Sequence, residues 1–111
     1  MNKAAEHEAA AARLWQEHLH APFPAGLHGA DRAGIDMMLL DADIAGCVST
    51  WLNHDGSLDR GRHRILRACL ADLDQVLPFL NEAEDLAYYQ RLRQLAHLVS
   101  ETAPQHPKAE K

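Results

Sequence analysis

Three groups of side chains have the types that do chemistry, and each competes with a plainer structural role. The first is Glu17-His18-Leu19-His20. Glu17 and His20 stand in the Glu-x-x-His spacing that places a carboxylate and an imidazole on one helix face in carboxylate-bridged metal bundles. Such a centre needs a second copy of the motif and further inward carboxylates, and the chain contains no second copy. His20 also falls where Pro22 ends the helix, so the group reads as solvated helix-end residues and no metal site is expected. The other histidines, His54 and His63 among them, belong to no H-E-x-x-H or Cys-x-x-Cys arrangement.

The second group centres on Asp41. Winding its helix at about 100° per residue sets Asp41 between Val48 and Leu52, on the margin of an apolar stripe, where an unpaired carboxylate is costly. It therefore requires a partner. Arg62 is one candidate, although antiparallel neighbours would place it nearer the end of the helix than Asp41. The first helix, the last helix and a second subunit are equally open sources. A boundary acid, a buried specificity-setting ion pair and a catalytic carboxylate are all compatible with that position.

The third group, Arg60, His63, Arg64 and Arg67, is expected on the outward face of one helix, where it could hold an acidic partner or a phosphate. Positive charge near a helix N-terminus opposes the macrodipole, so no helix end assembles this patch into an anion site. No aromatics interleave with the arginines, and Asp36, Asp41, Asp43, Asp55 and Asp59 lie just upstream. Nucleic acid is thus an unfavoured partner. A solvated face, partly satisfied by Asp55 and Asp59, is the plain alternative to an acidic protein partner. With no Gly-rich phosphate loop and no G-x-S-x-G elbow, the sequence carries no recognisable catalytic motif, and no catalytic residue is assigned and no cofactor expected.

These residues must be positioned by helices. The chain has 111 residues, 47% of them apolar but only 5% aromatic, which suits one domain with a core of aliphatic side chains. No stretch alternates apolar and polar residues as a half-buried strand would. The expectation is an all-α fold, a small four-helix bundle with helices over about 3–19, 35–53, 58–80 and 82–102 in one domain spanning 1–102. Three of them stand antiparallel, and the N-terminal helix adds the fourth. The connection over 20–34 is long and rich in Pro and Gly, with Phe23 and Leu27 able to pin it to the core. Residues 103–111 read as a disordered tail.

The first helix is expected to bury Ala5, Glu8, Ala12, Trp15 and Leu19. Asp31 or Asp36 caps the second, Ser57 or Asp59 opens the third, and Asn81-Glu82-Ala83-Glu84 reads as a capping box for the fourth. The third helix should bury Ile65, Leu66, Cys69, Leu73, Val76, Leu77 and Leu80. The fourth should bury Tyr88, Leu92, Leu95, Ala96 and Val99. Cys47 and Cys69 both fall on apolar faces and read as reduced core thiols.

The second helix carries the most information. Met37, Leu40, Ile44, Cys47, Val48 and Trp51 form one stripe, and Met38, Ala42, Ala45, Gly46 and Ser49 a second, flatter one. The sequence thus predicts a rod covered on two sides. The cover for the small-residue side is either the first helix or the same helix of a second copy. A homodimer would use Met38, Leu39, Ala42, Ala45, Gly46 and Ser49, and Gly46→Leu would overpack whichever contact exists. The functional expectation is a non-enzymatic interaction or regulatory module. The alternative is a small-molecule binder or enzyme with a pocket between the first two helices, walled by Trp15 and Trp51, with His18, Asp41 and Cys47 as polar contacts. The N-terminus is too charged for a signal peptide, and no uncharged run approaches the roughly 20 residues of a membrane span. A cytoplasmic location is the expectation.

Overall fold

The computed structural model describes residues 3–102 as a small all-α bundle. Helix α1 spans Lys3–His20, α2 Met37–Asn53, α3 Arg60–Val76 and α4 Ala83–Ser100. The tail expected to be disordered, 103–111, lies outside the described residues. No helix among them is long and apolar enough to cross a membrane.

The long connection holds more structure than its composition suggests. Pro22 and Pro24 stop α1, a 3-10 turn over Ala25–Leu27 sinks Leu27 completely into the core, and Phe23 packs partly buried beside it. A two-residue antiparallel ladder follows, β1 (Asp31–Arg32) against β2 (Ile35–Asp36), with Asp31 opposite Asp36. Both residues of its tight turn, Ala33 and Gly34, have positive φ, 53° and 78°. That combination matches the right-handed twist of a hairpin. Sequence patterning missed the ladder because two-residue strands have no room for alternation.

The hairpin delivers Asp36 as the N-cap of α2, its carboxylate accepting from the Leu39 N–H at 3.0 Å. Asp59 does the same for α3, accepting from the Arg62 N–H at 2.8 Å and pairing with the Arg62 guanidinium at 2.6 Å. Those two bonds hold its carboxyl below the usual range. The expected capping box of α4 is absent: Glu82 is the cap residue, and its side chain bonds no backbone N–H. Glu84 and Asp85 still complement the positive end of the helix dipole.

Helix α4 is the hub, packed along α1 and α3 and against α2, while α1 and α2 meet only sparsely. The core runs through Leu40, Ile44, Val48, Leu66, Leu73, Leu92 and Leu95, each nearly or fully buried. Each such side chain contributes about 1.5–3 kcal/mol by leaving water. Two faces are rotated from expectation. Along α1, Ala11 and His18 are buried while Ala12 and Leu19 are exposed, Leu19 by 56%. Along α3, His63 is buried and Ile65 is 47% exposed. Helix α4 also buries Tyr89 fully, its hydroxyl donating to the Met37 carbonyl at 2.6 Å.

Within one chain, helix α2 is covered on one side, and α1 does not supply the cover for its small-residue side. Met37, Leu40, Ile44, Cys47, Val48 and Trp51 are buried, but on the opposite side Met38 is 44% and Leu39 58% exposed, and Ala42 and Gly46 also face out. Only the Ala45 and Ser49 edge is half-covered. The physical reason is that α1 docks on α4 and reaches α2 only along that edge.

Burial also sets a pH limit. Desolvation pushes the Cys69 thiol from 9.0 up to about 12 and raises Cys47, while the Tyr88 and Tyr89 phenols are driven above their ordinary 10.0 mainly by the same cause. Folding keeps these groups protonated where the unfolded chain ionises, so their contribution is complete below pH ~9 and declines as pH rises toward ~12. Urea midpoints should fall steadily across that interval. A level profile would contradict this burial.

Candidate functional site

The sparse contact between α1 and α2 leaves a groove, and the residue beneath it is Asp41. In one stretch the groove forms a hollow of ≈ 420 Å³ lined by Trp15, Leu19, Phe23, Met38, Ala42 and Ala45, with His18, His28 and Asp41 as its polar members. A second hollow, farther along between the same helices, touches Trp15, Gln16, Ser49 and Leu52.

Asp41 finds its partners on two helices at once. His18 on α1 brings its Nε2 to 3.1 Å from Asp41 Oδ1, and the Tyr88 hydroxyl on α4 donates to Oδ2 at 2.6 Å. The His18 and Tyr88 rings lie 4.8 Å apart, and Trp15 stacks on His18 at 5.8 Å. Phe23 closes the end of the cluster, its ring roughly perpendicular to those of Tyr88 and Tyr89. The side chain of His18 is only 6% exposed, that of Asp41 16%. Arg62, the partner weighed from sequence, instead pairs with Asp59 at the exposed start of α3.

This geometry fixes the roles of the protons. Tyr88 donates to a carboxylate, and burial, the Asp41 hydrogen bond and the Asp41 charge together drive its phenol above the ordinary range. It stays protonated at neutral pH. With Nε2 of His18 facing Asp41, the other ring nitrogen, Nδ1, is shielded from water with no hydrogen-bond partner. A carboxylate orienting an imidazole is the base half of many nucleophilic sites. No serine, threonine, cysteine or lysine lines the hollow above it, however, and Trp15 is stacked against the ring. The arrangement joins three helices and presents a carboxylate to an apolar groove.

Of the residues proposed for a pocket, the fold brings together Trp15, His18 and Asp41 but not Cys47 or Trp51. Cys47 is buried on the far side of α2, its thiol donating to the Arg62 carbonyl at 3.5 Å. Trp51 is 1% exposed and donates from Nε1 to the Thr102 hydroxyl at 3.2 Å. The interface set behaves differently along its length, with Met38, Leu39, Ala42 and Gly46 exposed and Ala45 and Ser49 half-buried. A Cβ added at Gly46 would meet nothing within 4 Å, which removes the expected folding defect of Gly46→Leu within one chain.

The basic patch loses one member. Arg60, Arg64 and Arg67 are exposed on α3, but His63 points inward and donates from Nε2 to the Thr102 carbonyl at 2.7 Å. A histidine one position from the apolar stripe reads as outward until a buried carbonyl acceptor is known. At the end of α1, His20 donates to the Gln16 carbonyl at 2.8 Å, and no group of three or more metal-ligating side chains converges among the described residues. Sequence reasoning read Tyr88 only as core and gave His28 no place. The one available signal was that a marginal Asp41 needed donors.

No protein-family profile matches this chain, and no curated protein or solved structure matches it significantly.

Removing the shared acceptor should cost more than removing either donor. Asp41→Ala leaves His18 and Tyr88 without a buried partner and should destabilise by about 3 kcal/mol, against about 1.5 kcal/mol for Tyr88→Phe. Urea denaturation of both variants measures the difference. Two losses below about 0.5 kcal/mol would mean that the cluster is solvated and contributes little.

Proposed function

We propose that this chain is a non-enzymatic interaction module that assembles with a second copy of itself through the outer face of α2. The observation that carries the reading is the composition of that face. Met38 and Leu39 stand exposed at one end, and Ala42, Gly46 and Ser49 follow with little or no side chain. Exposed apolar area of this kind, bordered by polar residues, is the usual mark of a contact surface.

The face is also complementary to itself. In an antiparallel, two-fold arrangement of α2 against its copy, Ala42 of each chain lies over Gly46 of the other, and Met38 and Leu39 reach the hollow beside Ser49 and Leu52. Small residues at the crossing allow close backbone approach, and the large ones fill what remains open at either end. Two-fold symmetry is the commonest solution for such a surface.

A second reading, a small molecule seated over Asp41, is favoured by one observation: a partly buried carboxylate lining the same hollow as the Trp15 and Phe23 rings. A ligand supplied at 100 times its dissociation constant would raise stability by about 2.7 kcal/mol. A thermal-shift screen would detect it.

Sedimentation equilibrium at tens of micromolar protein tests the first reading. The wild type should sediment as a dimer, and Gly46→Leu and Leu39→Glu as monomers with unchanged helical circular dichroism. Gly46→Leu should by itself favour the helix by about 0.8 kcal/mol, so a loss of assembly could not be assigned to unfolding. A monomeric wild type would remove the proposal.

A further inference from the structure

On the other side of Phe23, away from Asp41, the strap and the first half of α4 enclose a separate hollow of ≈ 440 Å³. Pro22, Phe23, Pro24, Ala87 and Tyr88 form its walls, and Arg91 and Glu84 are its charged residues. The walls are stiff. Two prolines fix the backbone of the strap, and the Phe23 ring is held roughly perpendicular to those of Tyr88, Tyr89 and His28.

Arg91 is the unusual member. Two arginines of the bundle have aspartate partners, Arg62 with Asp59 and Arg93 with Asp74 at 3.0 Å, but what sets Arg91 apart is a donor shut away from water. Arg91 pairs with no carboxylate among the described residues, and its Nε–H is shielded from water without an acceptor. Its guanidinium instead lies 5.7 Å from the centre of the Tyr88 ring. An aromatic face holds a guanidinium flat while leaving its outer N–H groups available to a planar acceptor.

We infer that this hollow binds a monocarboxylate with an apolar body, its carboxylate on the Arg91 guanidinium and its hydrocarbon against Phe23, Tyr88 and the two prolines. A planar carboxylate matches the fork of a guanidinium, and charge-assisted bonds of that kind are the strong ones. The single cation and apolar walls disfavour phosphate, which is bound by several donors together. Glu84 sets the polarity of the site. It precedes Arg91 by seven residues, about 10 Å along the helix, so it repels a second negative charge at the far end of the ligand. The site does not depend on self-assembly through α2, since none of its walls belongs to that helix.

The test is a titration of the full chain followed by amide proton–nitrogen correlation spectra, with 3-phenylpropionate, its neutral amide and phenylsuccinate as probes. Saturable shifts confined to residues 21–25 and 84–91 are expected with 3-phenylpropionate. The amide and the dicarboxylate should each bind roughly tenfold more weakly, a difference of about 1.4 kcal/mol. Arg91→Gln should abolish the preference for acid over amide. If that variant fails to fold, the comparison of probes on the wild type decides alone. Equal affinity for acid and amide, equally tight binding of inorganic phosphate, or no saturable shift at these residues at millimolar 3-phenylpropionate would each overturn the inference.

Discussion

A single carboxylate sets the geometry of this bundle. Asp41 sits on the margin of the α2 stripe, where an unmatched charge is expensive, and the fold meets that cost with one donor from α1 and one from α4. The consequence reaches beyond the pair of bonds. To bring His18 to Asp41, α1 turns by about one residue from the face that its alanines and leucine would choose, leaving Leu19 outside. Docked in that orientation, α1 lies along α4 and touches α2 only at an edge. The groove exists because a polar contact, not the apolar pattern, decides where α1 rests.

That explains what was legible in the sequence. The buried stripe of α2 and the aspartate caps of α2 and α3 could be read because each depends on residues within a few positions of one another. The all-α class followed from the same local periodicity. His18 and His63 could not be placed this way. Both are buried by acceptors far along the chain, Asp41 for the first and the Thr102 carbonyl for the second. Ile65 was assigned inward by its hydrophobicity, but His63 occupies the inward position two residues earlier. The sequence required partners for Asp41 and left Arg62, the first helix, the last helix and a second subunit open as their source; it contained nothing to say that α1 and α4 would both supply one.

The small-residue side of α2 shows the same division between composition and context. Its makeup implied cover, and the fold leaves Ala42 and Gly46 open while half-covering Ala45 and Ser49. Phe23 stands at a comparable boundary. Its ring borders two hollows, one over the Asp41 carboxylate and one leading to the Arg91 guanidinium. A strap that sequence alone presents as a long Pro- and Gly-rich connection thus partitions the surface into an acid-floored and a base-floored compartment.

Thr102 has a wider role than its place beyond the last helix suggests. Its carbonyl receives His63 from α3, its hydroxyl receives the Trp51 indole from α2, and that hydroxyl in turn donates to the Val99 carbonyl. Three helices therefore end their polar contacts on one threonine. A protein engineer fusing a reporter to this domain would have to keep the junction downstream of that residue, because cutting at Ser100 would strand an imidazole and an indole N–H in the interior.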